Sequence, residues 1–97
     1  MPFKISFSQQ AHADLQEIFD WYEEQQPNLG DRFIKAVDEC TERLSVTPDS
    51  ASIRYDNIRC RLVKHFPYLL HYSVNTPGGI VIVYRIFHTS RKPLWDK

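Results

Sequence analysis

The sequence has little of what marks most small enzymes, secreted proteins and membrane proteins. It holds three glycines, and none of them builds a Gly-rich phosphate loop or a G-x-S-x-G elbow; H-E-x-x-H is also missing. These absences argue against a stand-alone enzyme with its own deep pocket. The two cysteines, Cys40 and Cys60, have no second cysteine at metal-ligand spacing, and His65 and His71 do not complete a zinc pattern. Both thiols therefore read as small buried hydrophobes, and no metal or cofactor is expected. No apolar run approaches the roughly 20 residues that span a bilayer. The opening Met1-Pro2-Phe3-Lys4-Ile5 lacks the continuous apolar stretch of a signal peptide. The expectation is a cytoplasmic protein with no membrane partner.

What is present is a globular chain, 42% hydrophobic and 13% aromatic, too apolar to stay disordered. Its 97 residues suffice for one domain, 1–97, with no room for a second core. The net charge of zero hides an asymmetry. Residues 1–51 carry four basic side chains against ten acidic, a balance of −6, and residues 52–97 carry eight against two, a balance of +6. Such a split points to an anionic partner for one half, or to acidic helices lying beside a basic sheet.

Residues 3–7 alternate as a half-buried strand does. Ser8 offers an N-cap oxygen, after which Ala11, Leu15, Ile18, Phe19 and Tyr22 mark one helix face. Asp14, Glu17, Asp20, Glu24 and Gln25 fall on the opposite, polar face. Pro27 ends this helix, and a second runs from Leu29 to Val46, with Leu29, Phe33, Val37, Cys40 and Leu44 along one side. From Ile53 the texture turns to strands: Arg59–Lys64, a His65-Phe66-Pro67-Tyr68 corner, Tyr68–Val74, a turn at 75–79, and Ile80–Phe87. The last run, nearly continuous in β-branched and aromatic residues, suits a central strand covered on both sides. The order β-α-α-β-β-β predicts an α+β fold, a helical hairpin packed on a mainly antiparallel sheet.

The chemistry-bearing residues gather in the second half. Arg59 and Arg61, two apart on a strand, leave the same face, and Arg85, His88, Arg91 and Trp95 follow from the last strand onward. Arginine forks grip phosphate and carboxylate oxygens, so this set suits RNA or an acidic protein segment. The other use of Arg85 is as partner of a helix carboxylate. His88 could exchange protons near neutrality or serve as a hydrogen-bonded strand end.

Three stretches together resemble RelE/ParE-family toxins of type II toxin–antitoxin systems, the ParE-like subgroup above all. They are Ala13-Asp14-Leu15-x-x-Ile18 with Trp21-Tyr22; Arg59 followed by Phe66-Pro67-Tyr68 and Tyr72; and Val83-x-Arg85-Ile86-Phe87-His88-Thr89-Ser90-Arg91-Lys92-Pro93-x-Trp95. The resemblance spans almost the whole chain and implies the same element order. It implies growth inhibition, a part in plasmid stabilization, and neutralisation by a cognate antitoxin whose C-terminal segment wraps the toxin. Operator DNA would be met only through that antitoxin.

Members similar to ParE inhibit DNA gyrase, and those similar to RelE cleave mRNA on the ribosome with strand lysines and arginines plus a C-terminal tyrosine. Here leucine stands at the strand position, in Tyr68-Leu69-Leu70, and Trp95 stands where the tyrosine would be; an indole cannot exchange a proton at neutral pH. These departures favour a gyrase inhibitor acting by protein–protein contact. The alternatives are a ribosome-dependent endoribonuclease using Arg59, Arg61, His88 and Arg91, and a degenerate toxin that only binds its antitoxin. In each case Arg59, Arg61, Lys64, Arg85, His88, Arg91 and Trp95 are the residues expected to meet target or antitoxin. An acidic or amphipathic antitoxin segment would lie over the basic sheet and helical hairpin.

Overall fold

The computed structural model describes residues 2–90. In chain order the elements are β1 (Lys4–Phe7), α1 (Gln9–Gln25), α2 (Leu29–Val46), β2 (Ile53–Tyr55), β3 (Ile58–Leu62), β4 (Tyr68–Asn75) and β5 (Ile80–His88). The strands form one sheet in the order β1-β5-β4-β3-β2, antiparallel except for the parallel β1–β5 pair. The two helices pack on this sheet, giving the α+β architecture expected. One short strand, β2, adds to the expected set, paired with β3 across a turn in which Asp56 takes a positive φ of 49°.

Local chemistry explains the helical hairpin. The Ser8 hydroxyl accepts the Ala11 N–H at 3.0 Å, satisfying one of the donors a helix start leaves open. After Pro27, Asn28 adopts φ 72°, a left-handed conformation that asparagine tolerates, and begins α2 without a cap from its own side chain. Glu23 supplies the cap instead: its carboxylate accepts Gly30 N–H at 2.9 Å, Asn28 N–H at 3.2 Å and Asp31 N–H at 3.4 Å. The negative charge also suits the positive end of the helix. Gly30 lets the helices close up, because a Cβ there would stand 2.7 Å from Phe19 Cδ1 and 2.8 Å from its carbonyl oxygen.

Phe33, Val37 and Leu44 of α2 are buried against Leu70, Tyr72, Val81 and Val83 of β4 and β5. At one end the core becomes aromatic: Tyr22, Phe33, Phe66 and Tyr68 meet mostly edge to face, with centroids 5.2–6.3 Å apart. The β4–β5 register runs Tyr72↔Val83, then His71↔Arg85, so Tyr84 is the extra residue of a bulge.

The middle strand is β4, not the long apolar β5. Four-residue β1 flanks β5 only over Ile80–Val83; from Tyr84 onward β5 presents an edge to α1. The expectation of a central strand thus holds where β5 lies between β1 and β4 and ends at Tyr84, and the cause is the shortness of β1.

Candidate functional site

Past the end of β1, side chains of α1 close the β5 edge. Ser8 donates from its backbone N–H to the Val83 carbonyl at 2.9 Å and from its hydroxyl to the Tyr84 carbonyl at 2.7 Å. One and a half turns on, the Asp14 carboxylate accepts the Ile86 N–H at 2.9 Å, Arg85 Nε at 2.9 Å and Arg85 Nη2 at 3.2 Å. Asp14 is 9% exposed, so the helical periodicity that put it on the outer face with Glu17, Asp20 and Glu24 is corrected here. A helical wheel sees one helix; the strand edge that draws this carboxylate inward lies 71 or 72 positions away in sequence. Of the two uses open to Arg85, the structure displays the ion pair. The Asp14 hydrogen bond raises its pKa further, and its guanidinium lies 4.6 Å from the Phe87 ring centroid.

Beyond this clamp a groove of about 450 Å³ opens between α1 and the adjoining ends of β4 and β5. Ile18 and Ile86 are its buried members, Tyr22 and Tyr68 its half-buried ones, and Glu17, Trp21, Pro67 and His88 complete the wall. Trp21 is 54% exposed, a large apolar surface beside an acidic helix flank. His88 Nδ1 accepts the Ser90 backbone N–H at 3.1 Å and faces Ser90 Oγ at 2.7 Å. That assigns the proton of the neutral ring to Nε2, and the ring stands edge-on to Tyr68 at 5.2 Å.

The basic strand residues lie elsewhere. Arg59 pairs with Tyr72 and Arg61 with Leu70, so both leave the helix-facing side of the sheet. There they turn back on the loop after α2. Arg59 donates to the Asp49 carbonyl at 3.2 Å and to the Ala51 carbonyl, and Arg61 donates to Ser50 Oγ. Lys64 is exposed at the β3–β4 corner. The aromatic cluster stands between this basic corner and His88. Arg91 and Trp95 lie outside the described residues.

A third group occupies the opposite sheet face. His71, 1% exposed, sets Nδ1 3.3 Å from the Tyr55 hydroxyl and 3.6 Å from Cys60 Sγ, with the Phe87 ring at 5.0 Å. Burial first, then the charges of Arg54 and Arg85, push its imidazole down to about 4. Burial likewise raises the Cys60 thiol, which makes it a poor nucleophile. Sequence reasoning passed over this trio, because its members come from three strands and share no motif. Among the described residues, no three His, Cys, Asp or Glu side chains gather as a metal site would need.

The chain matches the family described as the ParE toxin of the type II toxin–antitoxin system, parDE, over residues 5–93. Solved structures share its fold. One is the chromosomal ParDE toxin–antitoxin system of P. aeruginosa: TM-score 0.76, 18% identity, with 91% of this chain and 97% of that one covered. Another is the RelBE2 toxin–antitoxin complex of Mycobacterium tuberculosis: 0.64, 22% identity, 91% and 99% covered. A third is the isolated RelE toxin of E. coli: 0.64, 14% identity, 96% and 90% covered. No curated protein sequence matches the chain.

Proposed function

We propose a gyrase-directed activity on a plain premise: this chain belongs to the ParE toxin family of type II toxin–antitoxin systems. Its toxicity would come from protein–protein contact that inhibits DNA gyrase, without RNA cleavage. The observation that carries this reading is the scattering of the groups a nuclease would need. Attack by a 2′-hydroxyl requires a base, an acid and cations around one phosphorus. Here Arg59 and Arg61 are turned onto the α2–β2 loop, and His88 stands beyond the Tyr22–Phe33–Phe66–Tyr68 cluster with its Nδ1 held by Ser90.

Purified toxin is expected to inhibit DNA supercoiling and to stabilise cleaved DNA. Undisturbed gyrase activity at saturating toxin overturns the reading, and new A-site cuts in mapped mRNA 5′ ends after induction would replace it with the endoribonuclease. Continued growth on induction without antitoxin would leave a toxin that only binds its partner.

For the cognate antitoxin, whose counterpart is present in the M. tuberculosis complex, we propose the α1 groove. Its aromatic wall and acidic rim suit an amphipathic segment. The inward turn of Arg59 and Arg61 speaks for this groove over the basic sheet that the charge balance first suggested.

A further inference from the structure

We propose that the seam between α2 and β3 binds a phosphate group, carried free or on a nucleic-acid backbone, between Arg43, Arg61 and Lys64. The inference is independent of the target assigned above. A cleft of about 70 Å³ opens at this seam beside Cys40 and Leu62, ringed by the three cations, and Glu39 is the single carboxylate in its lining. No ion pair among the described residues engages these cations; the one pair there joins Arg85 to Asp14.

One buried polar atom next to the cleft, Arg61 Nε, has no hydrogen-bond partner, and such orphans are rare in native folds. Tyr72 is 0% exposed, and its hydroxyl faces the Arg61 side chain. Burial raises the Tyr72 hydroxyl pKa, and the hydrogen bond with Arg61 pulls the other way. The Cys40 thiol is also raised by burial and lowered by Arg61 and Arg43. Tyr72, Arg61, Cys40 and Arg43 therefore share one small volume.

A tetrahedral oxyanion brings several acceptor oxygens to a place with a spare donor and three cations. A wider cleft adjoins it, sharing Lys64 and Glu39 and adding Arg32 and Lys35 of α2. Cations outnumber the one carboxylate there too, as a second phosphate of a backbone would require. Burial raises both the Tyr72 hydroxyl and the Cys40 thiol, so neither supplies a base beside the anion.

The test titrates the full chain with inorganic phosphate and, separately, with a short single-stranded RNA lacking terminal phosphates. Ionic strength is held with chloride, and amide shifts of Cys40, Leu62 and Tyr72 are followed by NMR. Saturable shifts with phosphate mark a free anion as a ligand, and saturable shifts with RNA alone mark the backbone; either supports the site. Arg43→Gln and Lys64→Gln, both at exposed positions, should each weaken binding about tenfold, as the loss of one charge-assisted hydrogen bond does. Glu39→Gln should tighten it by removing the one repulsive charge, and Tyr72→Phe should weaken it with the fold intact. Absence of saturation with both probes overturns the proposal. So does unchanged affinity in both cation variants, or equal binding of an oligoglutamate peptide.

Discussion

Asp14 holds three donors with one carboxylate: the Ile86 amide and two nitrogens of Arg85. Asparagine keeps one acceptor oxygen for these three donors and sets an amide NH2 against the guanidinium, which is 27% exposed. Asp14→Asn should therefore cost about 2–4 kcal/mol, between the loss of one buried hydrogen bond and of a buried ion pair. Urea denaturation measures this, and a loss inside the roughly 0.5 kcal/mol of ordinary surface changes would show that the clamp contributes little. A second prediction concerns acidity. The His71 imidazole sits at about 4 in the fold, against an ordinary value of 6.5. Between those values the unfolded chain binds the proton and the folded chain does not, so stability rises with pH across that window. His71's contribution is complete above pH 6.5 and is lost as pH falls toward about 4. Its slope should approach about 1.4 kcal/mol per pH unit at most, and His71→Gln should flatten it in a series of denaturation curves. Neither residue was legible from sequence in this role. Asp14 stood in a family-like stretch, yet its spacing put it in solvent, and His71 looked like one more residue of an apolar strand.

The elements themselves were more open to reading. Ser8, Pro27 and the run from Leu29 to Val46 bounded both helices where the structure has them, because caps and prolines act over a few residues and need no tertiary partner. The 75–79 turn was legible for the same reason. What escaped was non-local or too short to carry a period. Strand β2 is three residues with Ile53 and Arg54 exposed, so it shows no alternation. The β1–β5 pairing joins opposite ends of the described chain, and no local pattern announces a parallel register. The hairpin's own cap, Glu23, fits no local capping pattern, because it lies five to eight residues before the amides it serves. Glu23→Ala should cost about 1 kcal/mol, the usual loss of a helix cap. Gly30→Ala, although alanine favours helix, should lose a net of up to about 2 kcal/mol, since overpacking costs about 1–3 and the helix propensity returns about 1. The thermal midpoint reports both changes, and a Gly30→Ala variant that melts higher than the parent would mean the helices can part cheaply.

Among the described residues the acidic and basic halves meet in a direct ion pair at one place, Asp14–Arg85, while α1 carries five carboxylates and no lysine or arginine. Trp21 sits among those carboxylates, which gives a direct probe of the groove. In a Trp95→Phe background, leaving Trp21 as the sole tryptophan, emission should move to shorter wavelength when the antitoxin binds. An unchanged spectrum in a complex of verified composition would place the antitoxin on another surface. The parallel pairing of β1 with β5 also bears on how the protein is made. The first strand can pair only with the last, and the Asp14 clamp closes a loop of 71 residues. Contacts so distant in sequence form slowly and late. Until β5 has left the ribosome, β1 has no strand to pair with and Asp14 no clamp to close, so the sheet edge of this protein is completed only after synthesis has passed Ile86.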